Sequence, residues 1–167
     1  GATVITTFEL GEWLGAQGVK AIAANHGGTV AFAGGSVKFT PAWHTSSYQT
    51  GPDTFVAAGV PAGLIVRFGG MTIYHTGDTA LFRDMELIGE AGIDLLCVCI
   101  GDHFTMGPED AVRAVRFVQP KAVIPMHYNT FPPITQDGEA FARQAEAEMP
   151  GVVCYPLKPG EQHQFGA

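Results

Sequence analysis

Ile93-Asp94-Leu95-Leu96-Cys97-Val98-Cys99-Ile100, then Pro108-Glu109-Asp110-Ala111-Val112-Arg113-Ala114-Val115-Arg116-Phe117-Val118, then Ala122-Val123-Ile124-Pro125-Met126-His127, decide the architecture of this chain. The first run is apolar almost throughout and reads as a strand buried on both faces. The second opens on a proline suited to a first helical position. Glu109 and Asp110 favour the helix dipole, and Ala111, Val112, Val115 and Val118 keep helical spacing, which leaves Arg113 and Arg116 on the solvent face. That helix must end before Pro120, and the third run is a strand that delivers His127 at its C-terminal end. Strand, helix and strand in this order form a β-α-β unit with a ligand-type residue just past a strand.

Upstream, Val30 to Phe39 and Leu64 to Tyr74 each read as strand, Gly-Gly turn, strand, with Gly34-Gly35 and Gly69-Gly70 supplying the positive φ angles of tight hairpins. The first runs on to His44, and the second to His75 and then Thr76-Gly77-Asp78-Thr79. Thr45 to Ala62, rich in Ser, Thr, Gly and Pro, is expected to be a long irregular connection, either functional or disordered. The opening Gly1 to Thr7 reads as a strand that runs into a helix from Phe8 to Ala16, stopped by Gly18. Leu81 to Glu90 is expected as a short helix, Gly138 to Glu148 as an amphipathic one, and Val152 to Leu157 as a last strand. The expectation is one α/β domain over residues 1–167 built on mixed sheet.

The 167 residues hold 9 Lys+Arg against 16 Asp+Glu, a formal charge of −7. A phosphate backbone needs clustered cations, and none occur, so nucleic acid and anionic membrane are excluded as expected partners. A chain of this length buries roughly 70% of its unfolded surface and needs no covalent staple. Cys97 and Cys99, at i and i+2 on a strand, are expected as reduced thiols on one sheet face. No apolar run approaches the roughly 18 residues of a membrane span, and the expected setting is the cytoplasm.

Three of the six histidines, His44, His75 and His127, fall just past strand ends, as does Asp78. A rigid sheet aims such residues at one cleft. Imidazole with carboxylate and no thiolate suits a borderline divalent metal, zinc ahead of manganese or iron. Taken singly, each histidine reads more simply as a hydrogen-bonded structural residue. His26 and His163 lack that context and are expected to be solvated.

The strings His75-Thr76-Gly77-Asp78-Thr79, Ile100-Gly101-Asp102-His103-Phe104-Thr105-Met106-Gly107-Pro108-Glu109-Asp110-Ala111 and Ile124-Pro125-Met126-His127-Tyr128-Asn129-Thr130-Phe131 resemble the metallo-β-lactamase-fold metal-dependent hydrolases. The resemblance covers essentially the whole chain and is closest to an uncharacterised bacterial branch related to ascorbate-6-phosphate lactonase. It implies an αββα sandwich of mixed sheets with one or two divalent metals at a sheet edge. It further implies His44 as ligand of the first metal, Asp78 as the bridging carboxylate that works with a metal-bound water, and His127 as ligand of the second.

The family's H-x-H-x-D-H cluster occurs nowhere in the sequence. The chain is therefore expected to lack an N-terminal portion of the fold, with an incomplete site. An apolar surface left open by that loss would invite a second copy or the missing segment. The implied chemistry is hydrolysis of an ester, lactone or phosphodiester by a metal-held hydroxide; the alternative is a non-catalytic remnant that binds metal weakly or not at all.

Asp102 is expected either as outer partner of a ligating imidazole or as an Asx-type cap of the Pro108 helix. His103, His75 and Asn129 are expected at substrate or in loop hydrogen bonds, and Tyr48, Phe55 and Phe131 near the mouth of the site point to a small-molecule, partly apolar substrate.

Overall fold

The computed structural model describes residues 1–165. From the N-terminus, β1 (Val4–Thr7), α1 (Phe8–Gly15) and β2 (Ala21–Ala24) form a small crossover unit. The hairpin β3 (Thr29–Phe32) and β4 (Gly35–Pro41) follows, then β5 (Ser47–Gly51) with β6 (Thr54–Ala57), and β7 (Ala62–Phe68) with β8 (Met71–His75). The rest alternates: α2 (Met85–Gly89), β9 (Leu95–Cys99), α3 (Pro108–Val118), β10 (Ala122–Met126), a 3₁₀ turn (Pro132–Ile134), α4 (Gly138–Glu148) and β11 (Val153–Cys154).

Seven strands make one mixed sheet in the order β11-β10-β9-β8-β7-β4-β3. β3, β4, β7 and β8 pair antiparallel, whereas β8, β9, β10 and β11 run parallel. The β-α-β unit foreseen around α3 is therefore the centre of the parallel half. Cross-strand partners share a face, so Ile65, Tyr74, Leu96 and Val98 with Val123 point to one side, where they join Val112, Val115, Val118 and Phe141 of α3 and α4 in the core. Leu64, Val66, Ile73, Cys97, Ile124 and Met126 point to the other side and are only half-buried. All three cysteines are free thiols; Cys97 and Cys99 do share that second face, while Cys97 is half-buried and Cys99 buried.

β1 and β2 pair parallel, apart from the seven-stranded sheet. α1 rests on the β5–β6 hairpin, with the Trp13 and Tyr48 rings 4.5 Å apart. Thr45 to Ala62 is thus not irregular: β5 and β6 pair antiparallel across a Pro52-Asp53 turn.

Three boundaries also shift. The first hairpin turns at Ala33-Gly34, with Phe32 opposite Gly35, and only Gly34 has positive φ (+86°); the second turns at Gly69-Gly70 (+59° and +79°) as expected. α2 covers only the second half of Leu81 to Glu90. β11 pairs only at Val153 and Cys154: the Tyr155 amide still donates to the Val123 carbonyl at 2.8 Å, but the Leu157 amide turns back to the Tyr155 carbonyl at 2.9 Å and does not continue along β10.

Asp94 fastens the entry of β9. Its Oδ1 accepts from Lys121 Nζ at 2.7 Å and its Oδ2 from the Thr72 amide at 2.7 Å. The Lys121 hydrogen bond first, and the Thr72 amide second, hold its carboxyl below the ordinary carboxylate range. A depressed folded pKa gives stability that is present above the unfolded value and is lost as pH falls through the folded one. Lys121 is 81% exposed, so water screens the ion pair and the strand amide carries the larger share. Asp94→Ala is expected to lower stability at pH 7 by about 1–3 kcal/mol, with the gap to wild type closing below about pH 4. Urea unfolding across that range checks it, and a pH-independent gap would contradict it.

Candidate metal centre

The parallel strands and β8 all end at one edge of the sheet, and the residues that follow them meet there. β8 ends at His75 and leads to Asp78; β10 ends at Met126 and leads to His127. His127 Nε2 lies 3.3 Å from Asp78 Oδ2, with the two side chains 28% and 42% exposed. His127 Nδ1 is buried and has no hydrogen-bond partner. Of the three ligands that the resemblance implies, the structure therefore pairs two.

His44 sits in the loop after β4. Its imidazole is exposed, with Nδ1 2.9 Å from the Thr45 carbonyl, and it makes no hydrogen bond to Asp78 or His127 among the described residues. Its neighbour is better held: the Trp43 amide donates to Thr79 Oγ1 at 2.8 Å, and the Ala80 amide donates to the Trp43 carbonyl at 3.1 Å.

His75 accepts from the Gly77 amide at Nδ1 (3.1 Å), which leaves the neutral ring's proton on Nε2. Burial pushes its pKa down, and the nearby Asp78 charge opposes that shift more weakly. Asn129 serves its own loop, its Oδ1 accepting from the Gln136 amide at 2.8 Å and its N–H donating to Ile134. Asp102 does not cap α3, whose N-cap Gly107 receives no side-chain bond. Its backbone instead closes a tight turn, donating to the Met106 carbonyl and accepting from the Thr105 and Phe104 amides. Since His127 Nδ1 is orphaned, Asp102 does not serve it as outer partner either. His103 packs edge-on against Phe104, 4.4 Å between centroids, and Phe104 lies 6.0 Å from Phe131.

Asp102, His103, His127 and Asn129 all have left-handed backbones, with φ of 59°, 54°, 55° and 61°. Asn, Asp and His tolerate that region best among side-chain-bearing residues, so the loops reach it at low strain. Gly101 makes room for the turn at His127. A Cβ there would sit 3.2 Å from His127 Nδ1 and from Ile134 Cβ, and closer still to the His127 carbonyl. Gly101 escaped sequence reasoning, and so did Thr79; the tight Gly77-Asp78-Thr79 turn was the available signal for the latter. His26 and His163, expected as solvated, are exposed but engaged, through the Pro61 carbonyl at 2.8 Å and the Tyr155 ring at 3.9 Å.

Paired imidazole and carboxylate at strand ends, with an orphaned second ring nitrogen, fit the chemistry of a divalent ion. The number of donors falls short, because no group of three or more His, Cys, Asp or Glu converges among the described residues.

Residues 3–128 match the model of the beta-lactamase superfamily domain. This chain belongs to that superfamily. It is 53% identical over 161 residues to a UPF0173 metal-dependent hydrolase of Thermus thermophilus, an alignment that covers 96% of this chain and 69% of the relative. Among solved structures it is similar to Igni18, a novel metallo hydrolase from the archaeon Ignicoccus hospitalis, at TM-score 0.88 and 35% identity, covering 100% of this chain and 70% of that one. The metallo-beta-lactamase fold protein of Bacillus subtilis shares the fold at TM-score 0.61 and 16% identity, covering 81% of this chain and 52% of that one. The mixed α/β architecture is thus that of the superfamily. Among the described residues, no helix is long and apolar enough to cross a membrane.

Proposed function

We propose that this protein is a metal-dependent hydrolase of the cytoplasm that opens an ester, lactone or phosphodiester bond in a small molecule. The observation that carries this is the pairing of His127 and Asp78 at the sheet edge, 3.3 Å apart. Asp78 and His127 would hold the ion, with His44 as a further ligand, and zinc is favoured over manganese or iron by the imidazole and carboxylate donors. The bound ion supplies Lewis acidity, which brings the pKa of a coordinated water to about 7. The chain's own residues do the rest. The Asp78 carboxylate, 3.3 Å from the His127 imidazole, would set where a cation sits. His75 presents Nε2 as the ring atom free to give or take a proton. Phe104 and Phe131 offer exposed rings to an apolar part of the substrate.

A second reading, a remnant of the fold without turnover, is favoured by the lack of any converging group of three donors among the described residues. Elemental analysis followed by assays with p-nitrophenyl acetate and bis-p-nitrophenyl phosphate separates the two. Stoichiometric metal with turnover that a chelator removes supports the hydrolase. Metal-free protein that stays inert after reconstitution supports the remnant.

A further inference from the structure

Thr79 follows Asp78 and is wholly buried. Its hydroxyl accepts from the Trp43 amide at 2.8 Å and donates to the Ala80 carbonyl at 2.8 Å, while the Ala80 amide returns to the Trp43 carbonyl at 3.1 Å. The Thr79 carbonyl in turn accepts from the Met106 amide at 2.9 Å and from the Cys99 thiol at 3.6 Å. Thr76, also wholly buried, donates to the Cys99 sulfur at 3.8 Å. One residue thus gathers the loop after β4, the loop after β8 and the loop after β9.

Among the described residues, two hydrogen bonds join the first of these loops to the Asp78 loop, the Trp43 amide on the Thr79 hydroxyl and the Ala80 amide on the Trp43 carbonyl, and only the first depends on a side chain. Trp43 is 67% exposed, so its ring gives no packing anchor. Among the described residues, the His44 ring bonds only to its neighbour Thr45. Leaving the Trp43 N–H without its acceptor would release it to water or leave it unsatisfied, and either outcome loosens the link between the His44 loop and the Asp78 loop to the single Ala80 amide bond.

We infer that Thr79 is a positioning residue, whose hydroxyl clasps the His44 loop to the Asp78 loop and so sets the spacing of the two candidate ligands. This rests on the metal reading above for its purpose, though not for its geometry. The mechanism is that of an outer-shell group that orients ligands without touching the ion.

The test compares Thr79→Val, which keeps the shape without the hydroxyl, with Thr79→Ser, which keeps the hydroxyl. In ¹⁵N-labelled protein, amide exchange at Trp43 is expected to quicken by about tenfold or more in T79V and to stay within about threefold in T79S. The His44 ring resonances move in T79V alone. Zinc titration is expected to show affinity about 10- to 100-fold weaker in T79V. Thr79→Ala, which adds no bulk, replaces T79V should that variant not fold.

Unchanged Trp43 exchange and His44 resonances in T79V overturn the inference, as does a T79S variant that moves as far as T79V. Wild-type protein that takes up no zinc overturns the metal reading instead, and the clasp is then decided by Trp43 exchange and the His44 resonances alone.

Discussion

Protein carrying His127→Ala or Asp78→Ala is expected to lose bound metal and, with it, hydrolysis. Outer-shell changes alone weaken metal sites about 10- to 100-fold, so deleting a ligand should exceed about 100-fold. The two side chains stand 3.3 Å apart and partly open to solvent, so either deletion leaves only a small cavity and little loss of packing. His127 carries one complication, because its φ is 55° and alanine tolerates that region poorly, at about 1–2 kcal/mol. His127→Asn avoids the strain and still removes the imidazole. Loss of metal in both His127 variants, with near-native stability only in His127→Asn, separates ligation from backbone strain. Elemental analysis after dialysis and the initial rate on a p-nitrophenyl ester measure it. Unchanged metal and unchanged rates for both positions would sink the ligand assignment.

The second large effect is expected at a residue with no side chain. Gly101→Ala places a methyl 3.2 Å from His127 Nδ1 and from Ile134 Cβ, and nearer to the His127 carbonyl. The obstacle is backbone, so no rotamer change relieves it and the turn after β10 has to move. Overpacking of this kind costs about 1–3 kcal/mol, at about 2–4 °C of Tm per kcal/mol for a chain of this size. Metal affinity should fall with it, since the displaced residue is His127. Gly15→Ala is the control: a methyl there meets nothing within 4 Å and φ is not positive. It should leave both Tm and metal affinity near wild type. Gly101→Ala protein with wild-type Tm and metal affinity would show that the loop yields freely.

The parts of this fold legible from sequence were those where burial writes a period into the residues. β9, α3 and β10 each carry an uninterrupted or helically spaced apolar pattern because they are packed on the core side, and their bounds emerged within a residue or two. β5 was hidden because four of its five residues are exposed, so its sequence reads as loop despite the Pro-Asp turn beside it. β2 was missed because Ala21-Ile22-Ala23-Ala24 is too short and small-residued to show alternation.

The candidate site divided in the same way. His127 and Asp78 announced themselves by chemistry and by position past a strand, and they do meet. Thr79 and Gly101 act through a hydroxyl on a distant amide and through the absence of a Cβ, and neither leaves a pattern along the chain.

The left-handed turns at Asp102, His103, His127 and Asn129 restrict what variation can do to this protein. The residue types that suit such a backbone, Asn, Asp and His, are also the types that ligate or relay protons, so conformation and chemistry draw on one short alphabet. An exchange of His127 for aspartate stays inside it. Exchanges for glutamate or cysteine, equally able as donors, carry an added handicap of about 1–2 kcal/mol in the backbone. Directed evolution for a new metal preference at His127 should therefore return aspartate first, and should return cysteine only in backgrounds already stabilised elsewhere.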